Sequence, residues 1–491
     1  MRTIFQLLRL RCLTPYSLLL LYRAKKKHGN NLCFLLKFAA DYYGSETAMA
    51  DENTQLSFKQ LYEKVLRLTF VIQRKIQNEL NNTAVLICNN SINHILVLYA
   101  IQNLGLKLAL VNDKLLPGDI FKIIDKQAGA CTIFASGSSI ENAIDIDDLL
   151  THINGGGKKQ YYSKNHARVI FPTSGTTGDI KLIEKKTGEF YWVQSFADLV
   201  QRTAIDKRNA AYIAIPVSSG FGYTALLFTL ILGKKAVVSG AKNIITVAGF
   251  LSQQKVDLLV GVPTVLYKVA QQLELEKHAV ISIISSGAAL NKTILNKLAG
   301  LTTNIFSLYG STEASTCFIA DYTQLSLDSC TLGTPLKGVK YQIQSLLGGG
   351  KELLIQSPLA NASSGSGWLA TGDLVVEDGN GGIIWCSRKD DMIIKMGTNI
   401  YPIEIERQLL QIACIEDAYV AGEKDVVKGE IIVAFIKIKP GTSFDEKLVR
   451  ESLRLVLSGI KVPDEIYIVD YFNYTSTGKK IRPARAISKK E

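Results

Sequence analysis

Thr173-Ser-Gly-Thr-Thr-Gly178 puts four hydroxyl side chains and two glycines into six residues, directly after the apolar, strand-like run Arg168-Val-Ile-Phe171 and shortly before Lys181. Glycine lets backbone N–H groups come close to phosphate oxygens. Ser174, Thr176 and Thr177 add side-chain donors and Lys181 a cation, so a strand that ends in this loop can wrap a polyanion. The mononucleotide P-loop is excluded, because no glycine here is followed, after four residues, by Gly-Lys-Ser/Thr. Gly365-x-Gly367-x-x-Ala370 has a dinucleotide-like spacing, but no strand runs into it and it reads as a loop.

Outward from this loop, short apolar runs alternate with longer helical patterns. Ala84-Val-Leu-Ile87, Lys107 to Val111, Ala211-Tyr-Ile-Ala-Ile215 and Lys235-Ala-Val-Val238 are expected as strands, Gln60 to Leu80 and Phe250 to Lys255 as helices. This alternation predicts an α/β architecture with largely parallel sheets covered on both faces. Asn154-Gly-Gly-Gly157 reads as a loop ahead of the phosphate-loop strand, and Gly348-Gly-Gly350 as a turn in a β-rich stretch that continues to Trp385. Past Arg388 the character changes to a compact unit. A helix start at Pro402, strands around Ala418 to Ala421 and Glu430 to Lys439, a helix Phe444 to Leu457 and a last strand near Ile466 to Val469 are expected there. The predicted division is a basic amphipathic segment 1–29, a large domain 30–389 and a small domain 390–491.

With 491 residues, 47% of them hydrophobic, the chain exceeds one ordinary domain and can bury a large core. Eight cysteines without CxxC or Cys/His ligand spacing, and no cleavable secretory signal, point to a reducing cytoplasmic setting without structural zinc. The net charge of +12 is spread along the chain with no accompanying aromatic-basic motif, so no nucleic-acid partner is expected. Part of the excess lies in Met1 to Lys27, where Ile4, Phe5, Leu7, Leu8, Leu10 and Ser17 to Tyr22 mix with Arg2, Arg9, Arg11, Arg23 and Lys25 to Lys27. That apolar run is far short of the roughly 20 residues that cross a bilayer. The segment suits either peripheral contact with an anionic membrane or an amphipathic helix packed on the protein.

Four further stretches follow the threonine loop in order. Ser286-Gly-Ala-Ala289 trails an apolar run and allows a flat ring to lie on backbone. Tyr309-Gly-Ser-Thr-Glu313 offers an aromatic for a base, a hydroxyl for phosphate and a carboxylate for Mg²⁺. Trp368-Leu-Ala-Thr-Gly-Asp373 supplies a carboxylate able to accept from both ribose hydroxyls, with Arg388 beyond it, and Thr475-Ser-Thr-Gly-Lys479 carries a lysine on a glycine-bearing loop. Taken singly, each has a blander reading as a turn, a strand end or a solvated charge run.

Together, FPTSGTTGDIK, SGAAL, YGSTE, TGD, SRKDDMIIKMGTNIYPIEIE and STGKKIR stand in an order and spacing that resembles the adenylate-forming superfamily of acyl- and aryl-CoA synthetases, luciferase-like enzymes and peptide-synthetase adenylation domains, from about Leu32 to the C-terminus. The resemblance implies a large N-terminal region of stacked β-α subdomains with a small mobile C-terminal α/β domain. It implies Thr173, Ser174, Gly175, Thr176, Thr177, Gly178 and Lys181 for the ATP phosphates, and Gly287, Ala288, Tyr309 and Gly310 for adenine. It further implies Thr312 and Glu313 for phosphate and Mg²⁺, Asp373 and Arg388 for ribose, Asp390 as the interdomain hinge and Lys479 as the catalytic lysine, with Thr176 and Glu313 beside it in catalysis. The segment Lys395 to Asn399 would face the site after the small domain rotates to admit a thiol.

The implied reaction activates a carboxylic acid as acyl-AMP and passes it to CoA or, alternatively, to the phosphopantetheine of an acyl carrier protein; a non-catalytic nucleotide-binding regulator is the remaining alternative. No carrier attachment sequence follows the small domain, so a stand-alone ligase is expected. Two departures from the family concern the acid and the phosphate loop. Ser218 and Ser219 stand where an aromatic and a histidine are common, and Ile180 where proline is common. Val217 to Gly233 and Gly261 to Leu266 contain no charged residue. A substrate ammonium would find no carboxylate there, so an apolar fatty or aryl tail is expected, lined by candidates such as Ser219, Phe221, Val262 and Thr264.

Overall fold

The computed structural model describes residues 14–29, 31–76, 83–127, 131–137, 140–155, 168–174, 180–186, 193–240, 244–275, 278–346, 350–358, 367–378, 382–473, 480, 481 and 483. Gly175, Thr176, Thr177, Gly178 and Lys479 lie outside them, as do Gly156, Gly157, Gly348 and Gly365 of the loop readings; of Ser174 only the backbone is described.

Among the described residues the strands form three sheets. The largest has a parallel centre in the order Ile305–Ser311, Ser282–Ser286, Leu258–Gly261, Ala210–Ile213, Lys235–Val237 and Thr47–Ala50. Beyond Ile305–Ser311 it becomes antiparallel, through Ser315–Asp321 and Thr331–Pro335 to Ile383–Arg388 and Leu369–Glu377. A second sheet sets Thr83–Cys88, Lys107–Asn112 and Arg168–Ser174 in parallel and closes with the antiparallel strand Ile180–Lys186, so the threonine loop is the tip of a hairpin. The third sheet pairs Ile415–Asp425 with Gly429–Ile438 and adds Glu465–Ile468, all after the chain leaves Arg388.

The helices begin and end for local reasons. Phe58–Lys75 starts at a reciprocal capping box between Ser57 and Gln60, and Leu61, Val65, Leu68 and Ile72 make its buried stripe. Pro402–Leu409 starts with proline at its first position, where the missing N–H costs nothing, and buries Ile405 and Leu409. These two lie where the sequence pattern places helices; the second expected helix runs Ile244–Gln253, several residues earlier than its pattern. The small sheet has its own core of Ile405, Val420, Ile432, Val449 and Leu453, separate from the main cluster, which runs from Leu20 to Ile383.

The described part of the N-terminal segment packs one of its faces on the protein. Pro15–His28 is a helix whose Ser17, Leu20, Ala24 and His28 are buried against the helix Cys33–Tyr42. Its other face leaves Tyr16, Leu18, Leu19 and Tyr22 exposed beside Arg23, Lys26 and Lys27. No helix among the described residues is long and apolar enough to cross a membrane.

Candidate active site

Parallel strands place their loops at one edge, and this is where the expected site residues collect. Ser286 ends one strand and pairs with Leu308 of the next; its hydroxyl donates to the Leu308 carbonyl at 2.8 Å. Gly287, with φ +93°, and Ala288 therefore emerge beside Tyr309. Gly310 has no room for a side chain, since a Cβ would meet the Ser315 carbonyl oxygen across the hairpin. Thr312 and Glu313 sit in the turn between Ile305–Ser311 and Ser315–Asp321, closed by the Ala314 N–H donating to Ser311 Oγ at 3.1 Å.

The Asp373 carboxylate ties this edge to the antiparallel half of the sheet. Tyr309 donates its phenol proton to Asp373 Oδ2 at 2.6 Å, Trp385 Nε1 donates to Oδ1 at 2.9 Å, and Arg388 Nη1 lies 3.1 Å from Oδ1. Arg388 is fixed in turn by donating to the Thr371 carbonyl at 2.6 Å. Asp373 and Arg388 face each other in adjacent strands. Burial, followed by the neighbouring Asp373 carboxylate, pushes the Tyr309 phenol well above its ordinary pKa, so it stays protonated and remains a donor. Trp385 is a residue the sequence reading passed over, and only strand pairing reveals it.

Lys185 is a second residue the sequence reading missed. On the outgoing arm of the threonine hairpin, its ammonium contacts Ser315 Oγ, next to the Thr312–Glu313 turn. Burial lowers its pKa to about 8, while Cys317 and Glu313 pull the other way. Ser315 itself adopts φ +61°, unusual for a residue with a Cβ, and so turns the hairpin toward that lysine. Thr173 and Lys181 face each other at the base of the loop, with Thr173 Oγ1 3.4 Å from the Lys181 carbonyl.

The helix Gly220–Leu232 begins against the same turn. A Cβ at Gly220 would lie 3.7 Å from Thr312 Cγ2, and Phe171 below the threonine loop packs on Tyr223, ring centroids 5.6 Å apart. Asn90 holds the approach to this helix: its Nδ2 donates to the Ile213 and Ile215 carbonyls at 3.2 and 2.8 Å, and its Oδ1 accepts from the Val217 N–H at 2.9 Å. Between this helix and the strands Ala210–Ile213, Leu258–Gly261 and Ser282–Ser286 lies a cavity lined mainly by apolar side chains. Phe221, Thr224, Ala225, Phe228, Val260 and Leu308 are among its walls.

Of the four expected pocket residues only Phe221 is part of that lining. Ser219 is instead the helix cap, accepting from the Gly222 N–H at 3.1 Å and donating to the Pro216 carbonyl at 2.8 Å. Val262 is buried in the main core, and Thr264 opens the helix Pro263–Leu275.

On the small-domain side, the chain crosses from one sheet to the next at the single helical turn Lys389–Asp391, with Asp390 exposed in it. Lys389 reaches back to Glu352 of the large sheet at 3.4 Å. Lys395 is buried and paired with Asp464 at 2.7 Å, whereas Met396, the next residue of the same hairpin, is exposed with φ +49°. Lys480 donates to Asp417 Oδ1 and the Ala418 carbonyl, each at 2.6 Å, and the Ile481 N–H donates to the Asn473 carbonyl at 2.8 Å. Lys480, next to Lys479 in the chain, is thus tied to the small sheet.

Residues 36–350 match the AMP-binding enzyme family and residues 404–479 its C-terminal domain. Among relatives, a 2-succinylbenzoate–CoA ligase of Bacillus velezensis is 24% identical over 466 residues, covering 89% of this chain and 93% of the relative. A 3-[(3aS,4S,7aS)-7a-methyl-1,5-dioxo-octahydro-1H-inden-4-yl]propanoyl:CoA ligase of Rhodococcus jostii is 23% identical, covering 91% and 96%. In fold the chain is similar to the o-succinylbenzoate–CoA synthetase of Bacillus subtilis in complex with its acyl-adenylate intermediate, with a TM-score of 0.76, 21% identity and coverage of 91% and 96%. It is similar also to ATP-bound MatB of Rhodopseudomonas palustris, with a TM-score of 0.79, 19% identity and coverage of 92% and 97%. The match to the larger model alone takes in well over half of the sequence, and the chain belongs to the AMP-binding enzyme family.

Proposed function

We propose that the protein is an AMP-forming acid–thiol ligase that joins a ring-bearing, largely apolar carboxylic acid to CoA through an acyl-adenylate. The supporting observation is the mostly apolar cavity along Gly220–Leu232, whose helix starts beside Thr312, with the bonded pair Tyr309 and Asp373 on the neighbouring strands. The relatives named above act on acids with rings, which favours an aryl or polycyclic tail over a fatty one. Their acceptor is CoA, and no observation favours a carrier protein or a non-catalytic role.

In the first step a carboxylate oxygen attacks the α-phosphorus of ATP and pyrophosphate leaves; in the second a thiol attacks the acyl carbon and AMP leaves. Two anions must meet, so positioning and charge compensation carry the catalysis. Asp373 would accept from the ribose hydroxyls, held in place by Trp385 and Arg388. The threonine loop with Lys181 would hold the phosphates, and Lys479 would bridge the carboxylate and the α-phosphate. Glu313, on an open turn beside Thr312, fits magnesium, which takes one or two carboxylates together with substrate phosphates and would neutralise the departing pyrophosphate. The anchor at Lys480 would let Lys479 travel with the small domain about Asp390. ATP–pyrophosphate exchange across a panel of aryl, polycyclic and straight-chain acids, followed by thioester formation with CoA, tests the reading; no exchange with any ring-bearing acid would end it.

We propose also that the exposed face of Pro15–His28 rests on anionic membranes. Tyr16, Leu19 and Tyr22 would enter the interface, and Arg23, Lys26 and Lys27 would meet the headgroups. The whole protein should co-sediment with phosphatidylserine vesicles at low salt but not with neutral ones, and Tyr16→Ser with Tyr22→Ser should release it. Equal binding to both vesicle types argues against the contact.

A further inference from the structure

The cavity ends differently from how it begins. From Phe221 to Leu232 its helix wall rises through eleven residues, about 16 Å at 1.5 Å each. One end lies toward the helix start, which stands beside Thr312, and the other is reached where the strands Ala210–Ile213 and Leu258–Gly261 begin, at Arg208, Ala210 and Leu258. The walls between are apolar save for the hydroxyls of Thr224 and Thr229, and Lys234 joins Arg208 in the lining at the far end. Arg208 Nε is fully buried with no acceptor among the described residues. A guanidinium N–H left without an acceptor inside an apolar pocket is costly, and most such groups in proteins have a partner. Nothing local demands the residue there: its backbone N–H closes the short turn Ile205–Lys207 by donating to the Ile205 carbonyl at 3.1 Å, a bond any non-proline side chain allows.

We propose that Arg208 is a specificity-determining residue, binding an oxygen acceptor, a carboxylate or a ketone, at the far end of the acid. This rests on the cavity being the acid pocket. A substrate of this kind has a carboxylate that reacts beside Thr312, an apolar ring body along Gly220–Leu232 and a second oxygen function at Arg208. The same arrangement disfavours acids whose far end is hydrocarbon, because they leave the buried Nε without an acceptor. A distal ammonium is rejected outright by its charge.

Two matched probes test this on the whole protein: biphenylylpropanoate, and the analogue with a second carboxylate at the far para position. Calorimetric binding of each is measured without ATP, and pyrophosphate exchange with it. Wild type should prefer the diacid by on the order of tenfold or more in affinity. Arg208→Leu should lose that preference, and Arg208→Lys, which keeps the charge, should recover part of it. A folding defect is not expected from Arg208→Leu, since it removes an unsatisfied donor, and its melting temperature checks this. Preference for the monoacid in wild type, no binding of either probe, or an unchanged ratio in Arg208→Leu overturns the proposal. Diacid-selective binding without pyrophosphate exchange would uphold Arg208 and refute the ligase reading, so the two can fail separately.

Discussion

The two ends of the proposed reaction cleft are built on opposite principles. At the nucleotide end polar side chains are locked to one another across strands: Asp373 alone is held by Tyr309, Trp385 and Arg388. At the acid end the walls are mostly hydrocarbon, with Arg208 and Lys234 in the lining, and Arg208 Nε lacks an acceptor among the described residues. A preassembled polar network costs no reorganisation when charge develops, whereas an apolar pocket can change its ligand by changing one wall residue. Chemistry and selectivity are therefore expected to separate on mutation.

The largest effect should come from the charge proposed to arrive with the small domain. Lys479→Ala should reduce acid-dependent pyrophosphate exchange on the order of 100-fold or more, while thioester formation from supplied acyl-adenylate stays largely intact. Equal loss of both half-reactions would remove Lys479 from the adenylation step. Next comes the locked corner. Asp373→Asn keeps the shape but loses the charge opposite Arg388 and an acceptor for the ribose; hydrogen bonds to charged groups contribute about 1.5–3 kcal/mol, so KM for ATP should rise on the order of tenfold to a hundredfold. Trp385→Phe removes a single donor and should cost only several-fold. If the acid's KM rose as much as that of ATP in either variant, the two ends would not be separate.

The converse is smaller and selective. Ala225 lines the cavity and is nearly buried in the second turn of its helix. Ala225→Phe should exclude wide ring systems by on the order of tenfold or more in kcat/KM, leaving the KM for ATP within about twofold, because overfilling a packed wall penalises what must enter it. Loss of ATP binding in that variant would show the helix to be coupled to Thr312 and not a passive wall.

What the sequence reveals follows the same division. Motif residues of the nucleotide end stand at strand ends beside glycines, and such punctuation survives in one dimension; Gly287, Tyr309 and Asp373 could be read there. Their mutual bonds could not, since Tyr309 and Asp373 are 64 residues apart and Trp385 reaches the same carboxylate only through strand pairing. The acid end misleads more. Ser219 precedes an uncharged helix, which is a capping signal as much as a pocket signal, and the structure uses it as a cap. Lys185 lies among Lys181, Glu184 and Lys186, and only alternation separates it: Glu184 turns to Lys107 at 2.9 Å, so Lys185 points the other way, inward. Arg208 lies just outside the uncharged segments and therefore outside any reading confined to them.

Lys185 offers the subtlest contrast, because it belongs to the nucleotide end yet titrates within reach of ordinary buffers. Its pKa is lowered by burial from 10.5 to about 8, so the folded protein releases this proton before the unfolded chain does. Between those values the unfolded state binds more protons, and this group makes stability rise with pH across that window, where the charged form no longer has to be buried. Function should move the other way. Below about pH 8 Lys185 is an ammonium beside the Thr312–Glu313 turn, able to offset phosphate charge, and above it that charge is lost. Pyrophosphate exchange should therefore decline through an inflection near pH 8 while the melting temperature does not. Lys185→Met should abolish the inflection and lower exchange at pH 7 by several-fold, and it should also flatten the alkaline rise in stability. An inflection that persists in Lys185→Met would belong to another group and would leave Lys185 a packing residue between the two sheets.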